Sequence, residues 1–333
     1  MNYRKKRYWV LTLSFVGIAY WVWMARAPHY EYVQHPLPAD FNTYYEQKLA
    51  ESAALNARPG NEEKLIRFAP KTGLAFLYIH GFTASRAEGE YVMDSLAELY
   101  QANTYYVRLP GHGTNKEDHA AAKFSDYLTA GMDALLMAQQ LGDTVVLVGV
   151  SMGGLVSTWL AAQRPDLVDA LVLSSPFYDY APLAGNALKV PGALCLLRWV
   201  QGEERDMNRT EEWLKIIRDG YDNYWYPEQM MQSLQSLEDL RNFAANGNVY
   251  KKVSAPTLLM YYYKDEEHQD GAAKVSTMLH AYAQFGSTQK QDPRNKLVAI
   301  PNGEHVMMSQ YVICDQVPVF GEIKAYIGRL RGE

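Results

Sequence analysis

The sequence predicts an α/β fold, an open and mostly parallel sheet with helices on both faces. Three observations predict it: short apolar runs recur along the chain, helix-forming segments fall between them, and several runs end in glycine-bearing turns. The runs are Leu74 to Ile79, Thr104 to Leu109, Thr144 to Val150 and Ala170 to Ser175. They are continuously apolar rather than alternating, the pattern of strands buried on both faces. Stretches at Leu96 to Leu99, Phe124 to Leu141 and Leu155 to Gln163 have helical spacing or composition, which gives strand-helix-strand units with right-handed crossovers. After Pro176 the alternation stops, and from Phe177 to about Lys252 the chain is helix-like and rich in aromatics such as Trp199, Trp213, Tyr221 and Trp225. Strand patterns resume at Pro256 to Tyr263 and at Lys296 to Pro301. An insertion of this size reads as a helical lid over the carboxyl ends of the strands, where open α/β sheets bind ligands. The expected division is therefore core at 65–176 and 253–333, cap at 177–252, and a tether at 28–64 whose helix, Asp40 to Leu55, Asp40 would cap.

Bulk composition narrows the function. With 333 residues, 48% hydrophobic and 21% charged, the chain has the make-up of a globular protein with a large core, which excludes intrinsic disorder. A net charge of -5 leaves no broad cationic surface, so nucleic acid is not an expected partner. Cys195 and Cys314 are too few and too far apart for a zinc site or a disulfide scaffold; they read as small buried residues, with one disulfide as the alternative.

Residues 1–27 break the globular pattern. Arg4-Lys5-Lys6-Arg7 precede about eighteen uncharged residues, Tyr8 to Ala25, which as a helix reach about 27 Å and carry Tyr and Trp near both ends. This reads as a single-pass membrane anchor with a cytoplasmic amino terminus, placing the bulk of the chain on the far, periplasmic or extracytoplasmic side. The alternative is a signal peptide cleaved near Ala25-Arg26-Ala27, which would make the protein secreted.

Chemistry concentrates at the strand ends. Gly149-Val150-Ser151-Met152-Gly153 is a G-x-S-x-G element between an expected strand and an expected helix, the context in which a sharp turn exposes a nucleophilic serine. A serine hydroxyl needs a base, and the base needs an acid to hold its tautomer. Among eight histidines, His305 in "PNGEHVMM" follows the last expected strand and fits the base. His80 and His112 lie in earlier strand-end loops and read as loop-holding residues, while His29, His35 and His280 read as surface residues. For the acid, Asp265 lies just past a strand end and is favoured over Glu266, Glu267, Asp270 and the earlier Asp179. Oxyanion donors are expected from the backbone N–H groups of Met152 and Phe82, the latter after the Gly81 turn. No H-E-x-x-H element or cysteine cluster points to a metal, and no cofactor is expected.

Taken together, "HGF" at 80–82, "LPGHG" at 109–113, "GVSMGG" at 149–154, "LLMYYYKD" at 258–265 and "PNGEH" at 301–305 resemble the α/β-hydrolase family, especially its capped members of the monoacylglycerol lipase and carboxylesterase kind. The resemblance implies an eight-stranded, mostly parallel sheet, a Ser151-Asp265-His305 triad, and an oxyanion hole from Phe82 and Met152. It also implies a serine hydrolase acting on carboxylic esters, monoacylglycerol- or lysophospholipid-like, with a thioesterase, an amidase or a non-catalytic binding module as alternatives. One departure stands out: Tyr262 replaces the glycine usual shortly before the acid, which points to a differently shaped acid loop.

Overall fold

The structure is a computed structural model that describes residues 3–24, 28–206, 211–288 and 291–333. All six strand patterns of the sequence form strands, and three further short ones join them. In chain order the strands are β1 (Lys64–Ile66), β2 (Thr72–Ile79), β3 (Asn103–Val107), β4 (Gly142–Val150), β5 (Ala170–Ser174), β6 (Glu204–Asp206), β7 (Glu228–Met230), β8 (Thr257–Tyr262) and β9 (Lys296–Ile300). The main sheet has the order β1-β3-β2-β4-β5-β8-β9; its neighbours run parallel except β1, which is antiparallel to β3.

Among the described residues this sheet has seven strands rather than the expected eight. The residues ahead of β1 that would have to extend that edge are spent in a turn. Arg58 donates its N–H to the Gly113 carbonyl, and Gly60 takes a φ of 82°, so the chain enters the sheet only for the three residues of β1.

Strand alternation divides the core into two layers, because successive side chains point to opposite faces. Ala75, Leu77 and Ile79 of β2, with Val145 and Leu147 of β4, pack on one face with residues of the helices Phe124–Ala138 and Ser151–Gln163. Leu74, Phe76 and Tyr78, with Val146, Val148 and Val150, pack on the other with the helices Glu90–Tyr100 and Gln316–Arg331. Each fully buried aliphatic side chain contributes about 1.5–3 kcal/mol, so the central strands carry much of the stability.

The segment expected as a tether packs on this core. Asp40 caps the helix Phe41–Ala54 by accepting the Thr43 N–H at 3.0 Å, and Phe41 and Tyr44 are buried against Tyr105 of β3. Upstream, the Tyr30 hydroxyl meets Thr129 at 2.7 Å and the Tyr32 hydroxyl donates to Asp133 at 2.8 Å. A buried Arg108 donates to Ser52 and pairs with Glu63, fastening this helix to the loop after β3.

Two expectations are corrected. Among the described residues no helix is long and apolar enough to cross a membrane, which overturns the membrane span and the far-side placement of the domain. The helix Tyr3–Met24 includes Arg4, Lys5, Lys6 and Arg7, and its remainder is diluted by Thr12, Ser14, Gly17 and amphipathic aromatic residues. The expected cleavage site, Ala25 to Ala27, lies outside the described residues. The cysteines are both free, and Cys195 is exposed rather than buried.

Between β5 and β8 lie the helices Ala193–Gln201, Glu211–Ile216, Ser233–Ala244 and Gly247–Tyr250, together with the antiparallel pair β6–β7, so this insertion is not purely helical. Several of its aromatics pack on one another: Tyr221 stacks on Trp225 at 4.2 Å, and both are buried.

Candidate active site

The chain passes from β4 to the next helix at a single residue, Ser151, whose φ of 51° lies in the left-handed region. A non-glycine residue there costs on the order of 1 kcal/mol or more and persists only where its surroundings enforce it. They do so through close approach. A Cβ on Gly153 would lie 2.2 Å from the Ile79 carbonyl oxygen, and one on Gly149 would lie 2.4 Å from Ser157 Oγ. Glycine at both positions lets the helix start against the ends of β2 and β4, and the Phe177 N–H holds the Ser151 carbonyl at 2.9 Å.

His305, in the turn region after β9, lies 2.9 Å through Nε2 from Ser151 Oγ. Its Nδ1 faces both oxygens of Asp270, at 2.8 and 2.9 Å. Since a carboxylate only accepts, Nδ1 carries the proton, and Nε2 is left with a lone pair toward the serine hydroxyl. Burial opposes the charge on Asp270, yet His305 and the N–H groups of Ala273 and Ala272 outweigh it and hold the carboxyl below its ordinary range. Burial likewise pulls the His305 imidazolium down, but the Asp270, Glu88 and Glu304 charges outweigh it, and its pKa is raised.

Asp270, not Asp265, is therefore the acid against His305. The favoured Asp265 is exposed, and its carboxylate is taken by its own turn: it accepts the His268 N–H at 2.8 Å and the Glu267 N–H at 3.0 Å, and it meets His268 Nδ1 at 2.7 Å. The physical reason is a short excursion at the end of β8. The chain loops out and returns through an antiparallel bridge between Tyr263 and Gln269, and the Asp270 N–H then donates to the Tyr262 carbonyl. Asp270 thus sits at the strand end in space although it lies well past it in sequence. Asp179, the other alternative, pairs with Lys189 at 2.6 Å. Of the remaining competitors, Glu266 accepts from the Tyr263 hydroxyl at 3.0 Å, and Glu267 is exposed.

The loop that carries Phe82, the expected oxyanion donor, follows β2. His80 Nε2 accepts the Leu109 N–H at 3.1 Å, which leaves the proton on Nδ1 to donate to the Gly81 carbonyl at 2.9 Å. Because the Gly81 carbonyl and the Phe82 N–H belong to one peptide unit, this bond restrains the Phe82 N–H from the carbonyl side. Burial pulls the His80 pKa down to about 4, so the ring keeps this neutral form. Met152 lies in the first turn of the Ser151–Gln163 helix, where the helix supplies no acceptor for its N–H and the dipole favours negative charge.

Residue-type reasoning singled out neither Glu88 nor Tyr226. Glu88, buried at the end of the short turn Arg86–Glu88, accepts the Gly81 N–H at 2.5 Å. Tyr226 donates its N–H to the Thr83 carbonyl at 3.1 Å, and its hydroxyl donates to the Gly111 carbonyl and accepts the Thr114 N–H, each at 2.9 Å. It thereby ties the insertion to two strand-end loops. Beside the donor loop, Phe82 packs against buried Leu194, Met231 and Leu234. Among the described residues no three His, Cys, Asp or Glu side chains are grouped as metal ligands.

A serine at an enforced strand-to-helix turn, followed by a histidine and an acid from later strand ends, defines a class, and the chain belongs to the alpha/beta hydrolase family, whose model matches residues 76–311. It is similar to a thermostable monoacylglycerol lipase of Bacillus sp. (strain H-257), 33% identical over 103 residues that cover 30% of this chain and 40% of that one. The chain thus matches less than half the length of that relative. In fold it is similar to a structure described under "LipS and LipT, two metagenome-derived lipolytic enzymes", with a TM-score of 0.65, 19% identity, and 83% of this chain and all of that one covered. It is also similar to a soluble variant of monoglyceride lipase from Saccharomyces cerevisiae in complex with a substrate analog, with a TM-score of 0.60, 15% identity, and 81% and 91% of the two chains covered.

Proposed function

We propose that this protein is a serine hydrolase of carboxylic esters that works through an acyl-enzyme. The observation that carries the reading is the unbroken hydrogen-bonded chain Ser151 Oγ, His305, Asp270, with the serine at the strained turn. Ser151 Oγ attacks the ester carbonyl carbon while its proton passes to His305 Nε2, and the carbonyl electron pair moves onto oxygen. The Phe82 and Met152 N–H groups receive that oxyanion, a contribution of about 3–4 kcal/mol per donor in comparable sites. Collapse of the intermediate expels the alcohol, which takes the proton from His305 and leaves the acyl group on Ser151. Water, deprotonated by the same nitrogen, then releases the acid and restores the serine.

The substrate reading is an ester of an apolar acyl chain, monoacylglycerol- or lysophospholipid-like. Phe82 supports it, since the residue that would present an oxyanion donor also packs against the apolar group Leu194, Met231 and Leu234. The name of the Bacillus relative points the same way. In this reading segment 177–252 is the cap, held over the site by Tyr226. The test is hydrolysis of p-nitrophenyl esters from acetate to palmitate together with fluorophosphonate labelling. Hydrolysis and labelling that vanish in Ser151→Ala are expected, with medium or long chains preferred; folded wild type that neither labels nor hydrolyses any ester refutes the function.

A further inference from the structure

The reaction described above leaves one buried carboxyl unused. Glu88 is 2% exposed and lies directly beneath the donor loop, with Oε2 accepting the Gly81 N–H at 2.5 Å. The fit is tight: a Cβ on Gly81 would lie 2.7 Å from Glu88 Oε1 and 3.0 Å from Ser151 Cβ. Glu88 thus backs the narrow space between the donor loop and the nucleophile. Its other neighbours are the Tyr78 hydroxyl of β2, at 3.5 Å, and the charge of His305. The turn carrying it is also fastened to the segment after His305, because Ser309 Oγ donates to the Ala87 carbonyl at 3.0 Å.

A carboxyl at this depth is costly to desolvate, and burial pushes it up to about 8. A hydrophobic side chain would fill the same space without that cost but would leave the buried Gly81 N–H unpaired, so the acid is tied to that N–H. Gly81 belongs to two peptide units: His80 holds its carbonyl from one side and Glu88 holds its N–H from the other. Only with both held is the intervening Cα fixed, and with it the direction of the next N–H, that of Phe82.

We propose that Glu88 is a positioning residue for ester hydrolysis, anchoring the Gly81 N–H so that the Phe82 N–H points at the oxyanion. The inference rests on the esterase reading above. It concerns the transition state more than substrate binding, because the oxyanion forms only after attack.

The test uses the full chain as wild type, Glu88→Gln, Glu88→Ala and Ser151→Ala, with p-nitrophenyl butyrate as substrate and a trifluoromethyl ketone, which adds to the serine as a tetrahedral oxyanion. Glu88→Gln keeps an acceptor for the Gly81 N–H and is expected to hold kcat within about threefold of wild type. Glu88→Ala removes the acceptor and is expected to lower kcat about 10- to 100-fold with KM within twofold, and to weaken the ketone by the same factor. Thermal melting of both variants reports folding. If kcat and ketone affinity in folded Glu88→Ala stay within twofold of wild type, the inference is wrong. It is equally wrong if Glu88→Gln loses as much as Glu88→Ala. Wild type that hydrolyses nothing overturns the esterase reading itself, whereas an active wild type, silent only in Ser151→Ala, leaves that reading standing and isolates failure to Glu88.

Discussion

The acid partner of His305 is the residue-scale feature with the sharpest consequence. Asp270 faces Nδ1 with both oxygens, while Asp265 is turned to solvent and engaged by His268. Asp270→Asn is expected to lower kcat by about 10³- to 10⁴-fold, because an amide favours the wrong imidazole tautomer, and Asp265→Asn is expected to stay within about twofold of wild type. Steady-state kinetics on the two variants separates the assignments. The pH profile belongs to the same pair. In the proposed mechanism His305 acts as base only when neutral, and its pKa is raised above the ordinary value of about 6.5. The kcat/KM profile is therefore expected to fall as pH drops through a midpoint above 6.5, and that midpoint is expected to move down in Asp270→Asn. For stability the signs are opposite within the pair. The contribution of His305 is fully present below about 6.5 and is lost as pH rises through its folded value. That of Asp270 is present above about 3.9 and is lost as pH falls through its lowered folded value.

At the scale of elements, the join between β2, β4 and the serine helix is the tightest. The Ile79 carbonyl, 2.2 Å from a Cβ on Gly153, is backbone and cannot swing aside as a side chain would. Gly153→Ala is expected to cost about 3 kcal/mol in urea unfolding and to slow fluorophosphonate labelling, since relief requires the helix to retreat from the donor loop. Packing restricted to one strand pair would not couple these two measurements. The β8 excursion illustrates a different property of elements. The strand places the acid, yet a loop between Tyr263 and Gln269 defers it in sequence, so counting from the strand end selects the wrong aspartate.

For the whole molecule, the amino-terminal segments differ in burial. Tyr8, Trp9, Leu11, Leu13 and Phe15 of the first helix are exposed, whereas Phe41 and Tyr44 of the tether helix are 2% exposed. A chain begun at residue 28 is expected to melt within about 2 °C of the full chain. One begun at residue 56 removes two buried aromatics, each costing about 3–5 kcal/mol when truncated, and is expected to melt at least 10 °C lower. Differential scanning calorimetry on the three chains measures both. Near-equal melting of the last two would place the fold's stability wholly within residues 56–333.

What the sequence determined by itself was whatever depends on local chemistry. Apolar runs such as Thr144 to Val150 could be buried on both faces only in a covered sheet, and glycines around Ser151 permitted a turn that few other residues accept. The tertiary structure decided what depends on where distant segments meet. Asp270 rather than Asp265 reaches His305 because an excursion folds back on itself, and no local pattern encodes that return. Glu88 carried no signal in "SRAEGEY"; only its burial beneath Gly81 gives it a partner. The amino-terminal segment was legible as an apolar helix, but among the described residues no helix is long and apolar enough to cross a membrane. Short-range sterics and hydrophobic periodicity are written along the chain, while the pairing of charges across the sheet edge is settled only when the strands come into register.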